Sequence, residues 1–224
     1  MKKTRQFFSV LLTLAMLLTL VPATVSAAEP EWETVNTFEE LQTAVKAKKE
    51  YIKLGQDIDT TNFHSTGSGL EVEDWLTFEN QTCTLDLNGK TLTLMTRLLT
   101  MGVFLRVYDG SNLTIKDSSS AGKGEISGDF GKTAGDCDYR TIFVGENGSL
   151  TLEGGTFRAE GDPYPTATEA IYCRGGSVTV KDGVTISQRW FHDRGYAKDL
   201  DGDGYALHIA EKSKAIIDGG EFIG

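Results

Sequence analysis

The sequence predicts an all-β chain wound as a right-handed parallel β-helix of about six coils, closed at its N-terminal end by a short helix. Three observations predict it. Pairs of short apolar segments recur along the chain at a nearly constant internal offset. Each segment alternates apolar with polar residues, the two-residue period of a strand. Glycine pairs or Asx-Gly dipeptides follow the second segment of the pair at the same place.

The first element is a leader. Lys2, Lys3 and Arg5 precede an apolar run from Phe7 to Val21, and Val25-Ser26-Ala27 supplies small residues ahead of Ala28. That order is a secretory signal peptide over residues 1–27, and the run is shorter than the roughly 20 residues of a membrane-spanning helix. No later segment is apolar enough to span. All 32 acidic residues lie beyond residue 27 and three of the 22 basic ones lie before it, so the mature chain has a net charge of −13. Such a chain gains no counterion-release affinity for nucleic acid, which excludes that partner class. The expected location is the cell surface or the extracellular medium.

Residues 28–50 hold the one helix. Thr37 caps it, with Glu40 three residues later as a capping box. Phe38, Leu41, Ala44 and Val45 then form one apolar face through about Lys48. A lone amphipathic helix ahead of a solenoid is a lid for its open first coil.

Residues 51–224 hold the coils. A weak copy begins at Ile52-Lys-Leu54. Leu76-Thr-Phe78 then precedes Thr84-Leu-Asp-Leu-Asn-Gly-Lys-Thr-Leu92, and Leu105-Arg-Val107 precedes Asn112-Leu-Thr-Ile115. Ile142-Phe-Val144 precedes Gly148-Ser-Leu-Thr-Leu-Glu-Gly-Gly-Thr-Phe157, Ile171-Tyr-Cys173 precedes Gly176-Ser-Val-Thr-Val180, and Leu207-His-Ile209 precedes Lys214-Ala-Ile-Ile-Asp-Gly-Gly-Glu-Phe222. The first segment leads the second by seven to nine residues every time, and successive coils are 29, 37, 29 and 36 residues apart. A β-sandwich also recurs in short strands, but it has no reason to keep that offset constant. One coil alone does not fold. Four buried aliphatic side chains contribute roughly 6–12 kcal/mol, whereas ordering some 30 residues costs about 30–60 kcal/mol. Stacking resolves the deficit, because each coil covers its neighbour. Gly154-Gly155, Gly219-Gly220, Asn88-Gly89 and Asp182-Gly183 are therefore corners of positive φ, and no helix follows them to make a phosphate cradle.

The helix segment, the Leu85-Asp-Leu-Asn-Gly-Lys-Thr-Leu92 run and the Gly-Ser-Leu-Thr-Leu-Glu-Gly-Gly-Thr-Phe unit with its later copies resemble the pectin-lyase-like β-helix proteins exported by Gram-positive bacteria, which are often large and attached to the cell wall. The likeness spans nearly the whole mature chain. It implies the fold and leaves function open, since that fold carries lyases, hydrolases, adhesins and stalks.

Three cysteines, Cys83, Cys137 and Cys173, close at most one disulfide, match no zinc spacing, and give no disulfide framework. Cys173 reads as a small buried hydrophobe.

Function should sit in the insertions, residues 128–141, 158–170 and 187–206, which precede the first strand of a coil and so stack along one edge. Asp136, Asp138, Tyr139, Arg140, Tyr164, Trp190, His192, Arg194 and Tyr205 mix carboxylates, cations and aromatic faces there. Hydrogen-bonding groups beside aromatic faces suit a carbohydrate ligand, a polysaccharide or a host or cell-surface glycan. Asp199-Leu-Asp201-Gly-Asp203 resembles a calcium loop, so Asp199, Asp201 and Asp203 are the candidate metal ligands. It departs from that loop at its twelfth position, Ala210. Calcium is the only cofactor the sequence points to, and the fold requires none.

These residues predict an exported surface module, binding or structural, without catalysis. The alternative is a calcium-dependent polysaccharide lyase or a glycoside hydrolase acting on acidic polysaccharide. A lyase would draw its base from Arg140, Arg174, Arg189 or Arg194. A hydrolase needs convergent carboxylates, yet the chain has no Asp-Asp pair, and His64, His192 and His208 are scattered. His208 is expected to face solvent between inward Leu207 and Ile209. No catalytic residue is assigned. The chain stops at Gly224, just past a repeat unit, which predicts that the β-helix at 51–224 is incomplete at its C-terminus.

Overall fold

Parallel pairing dominates the computed structural model, which describes residues 29–64, 69–96, 102–130, 138–161, 168–190 and 204–223, with side chains for all of these but 189 and 190. Trp32–Gly224 form one compact unit; of Met1–Glu31, a second unit, only 29–31 are described.

Five coils each contribute three strands. The first holds β4 (Leu76–Glu79), β5 (Thr82–Asp86) and β6 (Thr91–Met95); the next β7 (Gly102–Tyr108), β8 (Asn112–Lys116) and β9 (Glu125–Asp129). Then follow β10 (Tyr139–Val144), β11 (Ser149–Leu152) and β12 (Gly155–Gly161), and β13 (Thr168–Cys173), β14 (Ser177–Val180) and β15 (Val184–Trp190). The last coil holds β16 (Gly204–Ile209), β17 (Lys214–Ile217) and β18 (Glu221–Ile223). A partial coil of β2 (Tyr51–Leu54) and β3 (Ile58–Asp59) precedes them, and β1 (Glu33–Val35) precedes that. Among the described residues the strands stack into three parallel sheets of seven, five and six strands, in coil order. The chain is a parallel β-helix.

The dry columns predicted from the repeat are present. Leu76, Leu105, Ile142, Ile171 and Leu207 are register partners from coil to coil. So are Cys83, Leu113, Leu150, Val178 and Ala215, and Leu92, Ile126, Phe157, Ile186 and Phe222. The repeat sets Leu85 level with Leu113; Leu85 instead pairs with Ile115, one inward position further on, and Cys83 takes the place beside Leu113. Their outward neighbours form ladders of their own, such as Thr84, Thr114, Thr151 and Thr179 on the seven-stranded sheet. In the last coil Ile216, Ile217, Phe222 and Ile223 are exposed.

The helix α1 (Phe38–Lys46) buries Phe38, Leu41, Ala44 and Val45, as its periodicity requires. Thr37 Oγ1 accepts from the Glu40 N–H at 3.1 Å. The Glu40 carboxylate accepts from the Asn36 N–H, one residue before the cap. The helix packs on β1 and β4. Chain order places it where a strand of the five-stranded sheet would precede β2, so it covers the end of that sheet beneath β4.

Corner glycines 89, 155, 183 and 220 all adopt positive φ. At Gly155 a Cβ would also meet Leu87 Cδ1 at 2.9 Å, so that corner excludes a side chain on two counts. Asp117 staples the same corner: its carboxylate accepts from the N–H groups of Gly89, Ser119 and Gly124 and from the Ser119 hydroxyl. Burial pushes its pKa up, but the hydrogen bonds from Gly124, Ser119 and Gly89 outweigh that and hold it below the usual 3.8. The ionised form is therefore favoured on folding. The resulting stability is complete above pH about 4 and is lost as pH falls through the depressed folded value. Urea melts between pH 5 and 2 should show a loss on this acid limb that Asp117→Asn flattens. An unchanged limb would remove Asp117 from its cause.

Cys83 and Cys173 are both buried free thiols. Burial pushes the Cys83 pKa up to about 12, and it raises that of Cys173, with hydrogen bonds from Ser213 and Gly176 offsetting part. Thiolate is the reactive form, so iodoacetamide at pH 8 should leave both unmodified in the folded chain and label both in urea. Peptide mass mapping reads this directly, and native labelling of Cys83 would contradict the packing.

Candidate functional site

A groove of about 850 Å3 runs along the outer face of the five-stranded sheet, lined in part by Arg106, Arg140, Phe143 and Tyr172. It arises from a break in strand alternation that recurs in register. Pairing skips Phe104, Thr141, Ala170 and Ala206 in β7, β10, β13 and β16. These residues are buried beside Leu105, Ile142, Ile171 and Leu207, so two successive residues turn inward in each strand. Residues on both sides of the kink consequently share the outer face. Gly128 makes room for it, since a Cβ there would lie 2.2 Å from Thr141 Oγ1.

After the kink, Arg106, Phe143, Tyr172 and His208 form one outward row, a residue per coil. Phe143 and Tyr172 stack with centroids 5.8 Å apart, the His208 ring meets Tyr172 edge-on at 4.9 Å, and Tyr205 lies 5.0 Å from His208. Before the kink, Arg140 and Glu169 are register partners. Glu169 is 1% exposed, which is unusual for a carboxylate on the outside of a sheet. It accepts from Arg140 Nε at 2.6 Å and is hydrogen-bonded to His208 Nδ1. Arg140 also pairs with Asp138 at 2.8 Å and lays its guanidinium 4.0 Å above the Tyr172 ring. A buried carboxylate thus fixes one cation and one imidazole against an aromatic row.

The other end of the row differs. Arg106 lies 4.0 Å over the Trp75 ring. Its burial there lowers its pKa, with nearby Tyr108 offsetting part; an arginine remains charged regardless.

The sequence-predicted residues meet mixed fates. Asp138 and Arg140 line this groove, and Tyr205 stands beside His208 at the end of the aromatic row. Tyr139 does not offer a face to a ligand: it is 3% exposed, packed against Phe130 at 5.1 Å. Its position before the kink turns it into the core. Trp190 is the last residue of β15 rather than part of a loop, and residues 158–161 likewise continue β12, because alternation runs on through Phe157, Ala159 and Gly161. Asp136, Tyr164, His192, Arg194 and the calcium candidates Asp199, Asp201 and Asp203 lie outside the described residues. Among the described residues no group of three or more His, Cys, Asp or Glu could hold a metal ion. His208 faces outward as expected, but it is tied to Glu169 rather than simply solvated. The residues missed by sequence reasoning are Glu169 as a hub, Phe143 and Tyr172 as a stack, and Arg106. Their only signal was a doublet of successive apolar residues at the same place in three of the five coils, Phe104-Leu105, Ala170-Ile171 and Ala206-Leu207.

Among the described residues no helix is long and apolar enough to cross a membrane. Comparison with family models, with curated proteins and with solved structures finds no match.

Proposed function

We propose that the chain is an exported module of the pectin-lyase-like β-helix kind that binds carbohydrate along the outer face of its five-stranded sheet and performs no catalysis there. The observation that carries this reading is the row Phe143–Tyr172–His208 laid over the Arg140–Glu169 pair. Aromatic faces match the apolar C–H face of a sugar ring, and flanking polar groups match its hydroxyls. A buried, preorganised polar network gives that surface one fixed shape, which limits the entropy lost on binding. Export rests on the basic, apolar and small-residue order of residues 1–27.

The test is the secreted chain on a glycan array, followed by incubation with a panel of uronate polymers. Binding without unsaturated or reducing product is expected, with Tyr172→Ala weakening affinity about tenfold or more. A chain that binds no glycan would sink the reading, and turnover of a uronate polymer would sink the claim of no catalysis.

A further inference from the structure

We infer that His64 and Asp74 form a proton-operated clasp that holds the N-terminal cap against the first full coil while the imidazole is charged. None of its residues lines the groove. Two segments outside the strand ladders meet at the clasp. Residues 60–64 follow β3 as a strap. Thr60 fastens the strap to β6: its hydroxyl accepts from the Met95 N–H at 2.9 Å and donates to the Thr93 carbonyl at 3.1 Å. Phe63 then meets Phe38, the first residue of α1, edge-on with centroids 5.0 Å apart. The second segment is a single 3₁₀ turn, Val72–Asp74, ahead of β4. His64 joins the two, with Nε2 2.6 Å from Asp74 Oδ2. Asp74 is 8% exposed. The same oxygen accepts from the Glu71 N–H at 2.8 Å, and the Asp74 carbonyl accepts from Gln42 Nε2 of α1 at 2.9 Å. Strap, turn and helix thus converge on one buried residue.

Among the described residues, the charged groups that act on His64 are acids. Asp74, Glu71 and Glu73 come from the turn and its leading residue. The helix contributes the uncharged Phe38 and Gln42. Asp59, just before the strap, is engaged by the N–H and hydroxyl of Thr61. The hydrogen bond to Asp74 raises the imidazole above its usual 6.5; partial burial opposes the rise, and the charges of Asp74, Glu71 and Glu73 add to it. A raised folded value means that folding favours the proton. The stabilisation is therefore complete below pH about 6.5 and is lost as pH rises through the raised value. A neutral ring still donates one N–H to Asp74, so the clasp loosens rather than opens. It loses the charge that strengthens that bond.

Amide exchange of the secreted chain, followed by NMR at about pH 6 and about pH 9, tests the clasp. After correction for the intrinsic pH dependence of exchange, protection of the α1 amides should fall about two- to fivefold across that range, as suits a partly exposed ion pair. Amides of β11 in the middle coil should keep theirs. The His64 ring resonances should titrate with a midpoint above 6.5, and the α1 resonances should shift with them. His64→Gln keeps a donor for Asp74 but cannot titrate, so it should abolish the pH dependence of α1 protection. Asp74→Asn should abolish it too and bring the His64 midpoint back toward 6.5. A purely structural pair would lower protection in both variants without removing a pH dependence. A His64 midpoint at or below 6.5 overturns the inference. So does α1 protection that stays level while His64 titrates, or a fall that survives in His64→Gln.

Discussion

Phe157→Ala is expected to lower the unfolding free energy by about 3–5 kcal/mol. Phe157 is fully buried in the middle coil, between Ile126 below and Ile186 above in the same column. Removing the ring loses its transfer free energy and leaves a cavity that stacked coils on both sides resist closing. Phe222 occupies the same register position two coils later but is 42% exposed. Phe222→Ala should therefore cost well under half as much. Urea melts of the two variants measure the difference. Equal losses would mean that the column is not continuous.

The second large effect is expected at Glu169. Glu169→Ala takes from Arg140 its buried carboxylate partner and from His208 its hydrogen-bond partner, and breaking a buried ion pair on one side costs about 3 kcal/mol or more. Replacing Arg140 and Glu169 together with leucine removes both charges. That double variant should regain most of the lost stability while losing glycan affinity, because the Tyr172 face and the His208 ring lose the partners that fix them. Stability and binding would then move in opposite directions, which a purely structural role does not produce. A double variant that binds as the parent does would remove the network from the site.

The coils were legible because two independent periodicities agree. Leu105-Arg-Val107 and Ile142-Phe-Val144 alternate locally, and the offset to Leu113 and Leu150 repeats globally, so any slip in register would turn apolar columns outward. The cap helix was legible from Thr37 and its apolar face. The site was only half legible, and the kink explains why. Alternation extended backwards from Ile142 places Arg140 inside and Tyr139 outside. The doublet at Thr141-Ile142 reverses that parity, putting Tyr139 in the core and Arg140 on the groove. Thr141 hid the doublet, since its hydroxyl reads as polar; it is satisfied internally by the Arg158 carbonyl at 2.9 Å. Strand β1 was missed for a simpler reason: three residues, Glu33-Thr-Val35, carry too little pattern to announce pairing with β2.

The central claim is that each coil lies in parallel register on the next. Nitroxide labels placed pairwise on the outward ladder Thr84, Thr114, Thr151 and Thr179, with the native cysteines replaced, measure it by electron-spin distances. Separations from Thr84 should grow stepwise by about 4.8 Å per coil, in sequence order. Distances that fail to rise in that order, or that place Thr114 and Thr151 more than two such steps apart, would contradict the β-helix and the groove built upon it.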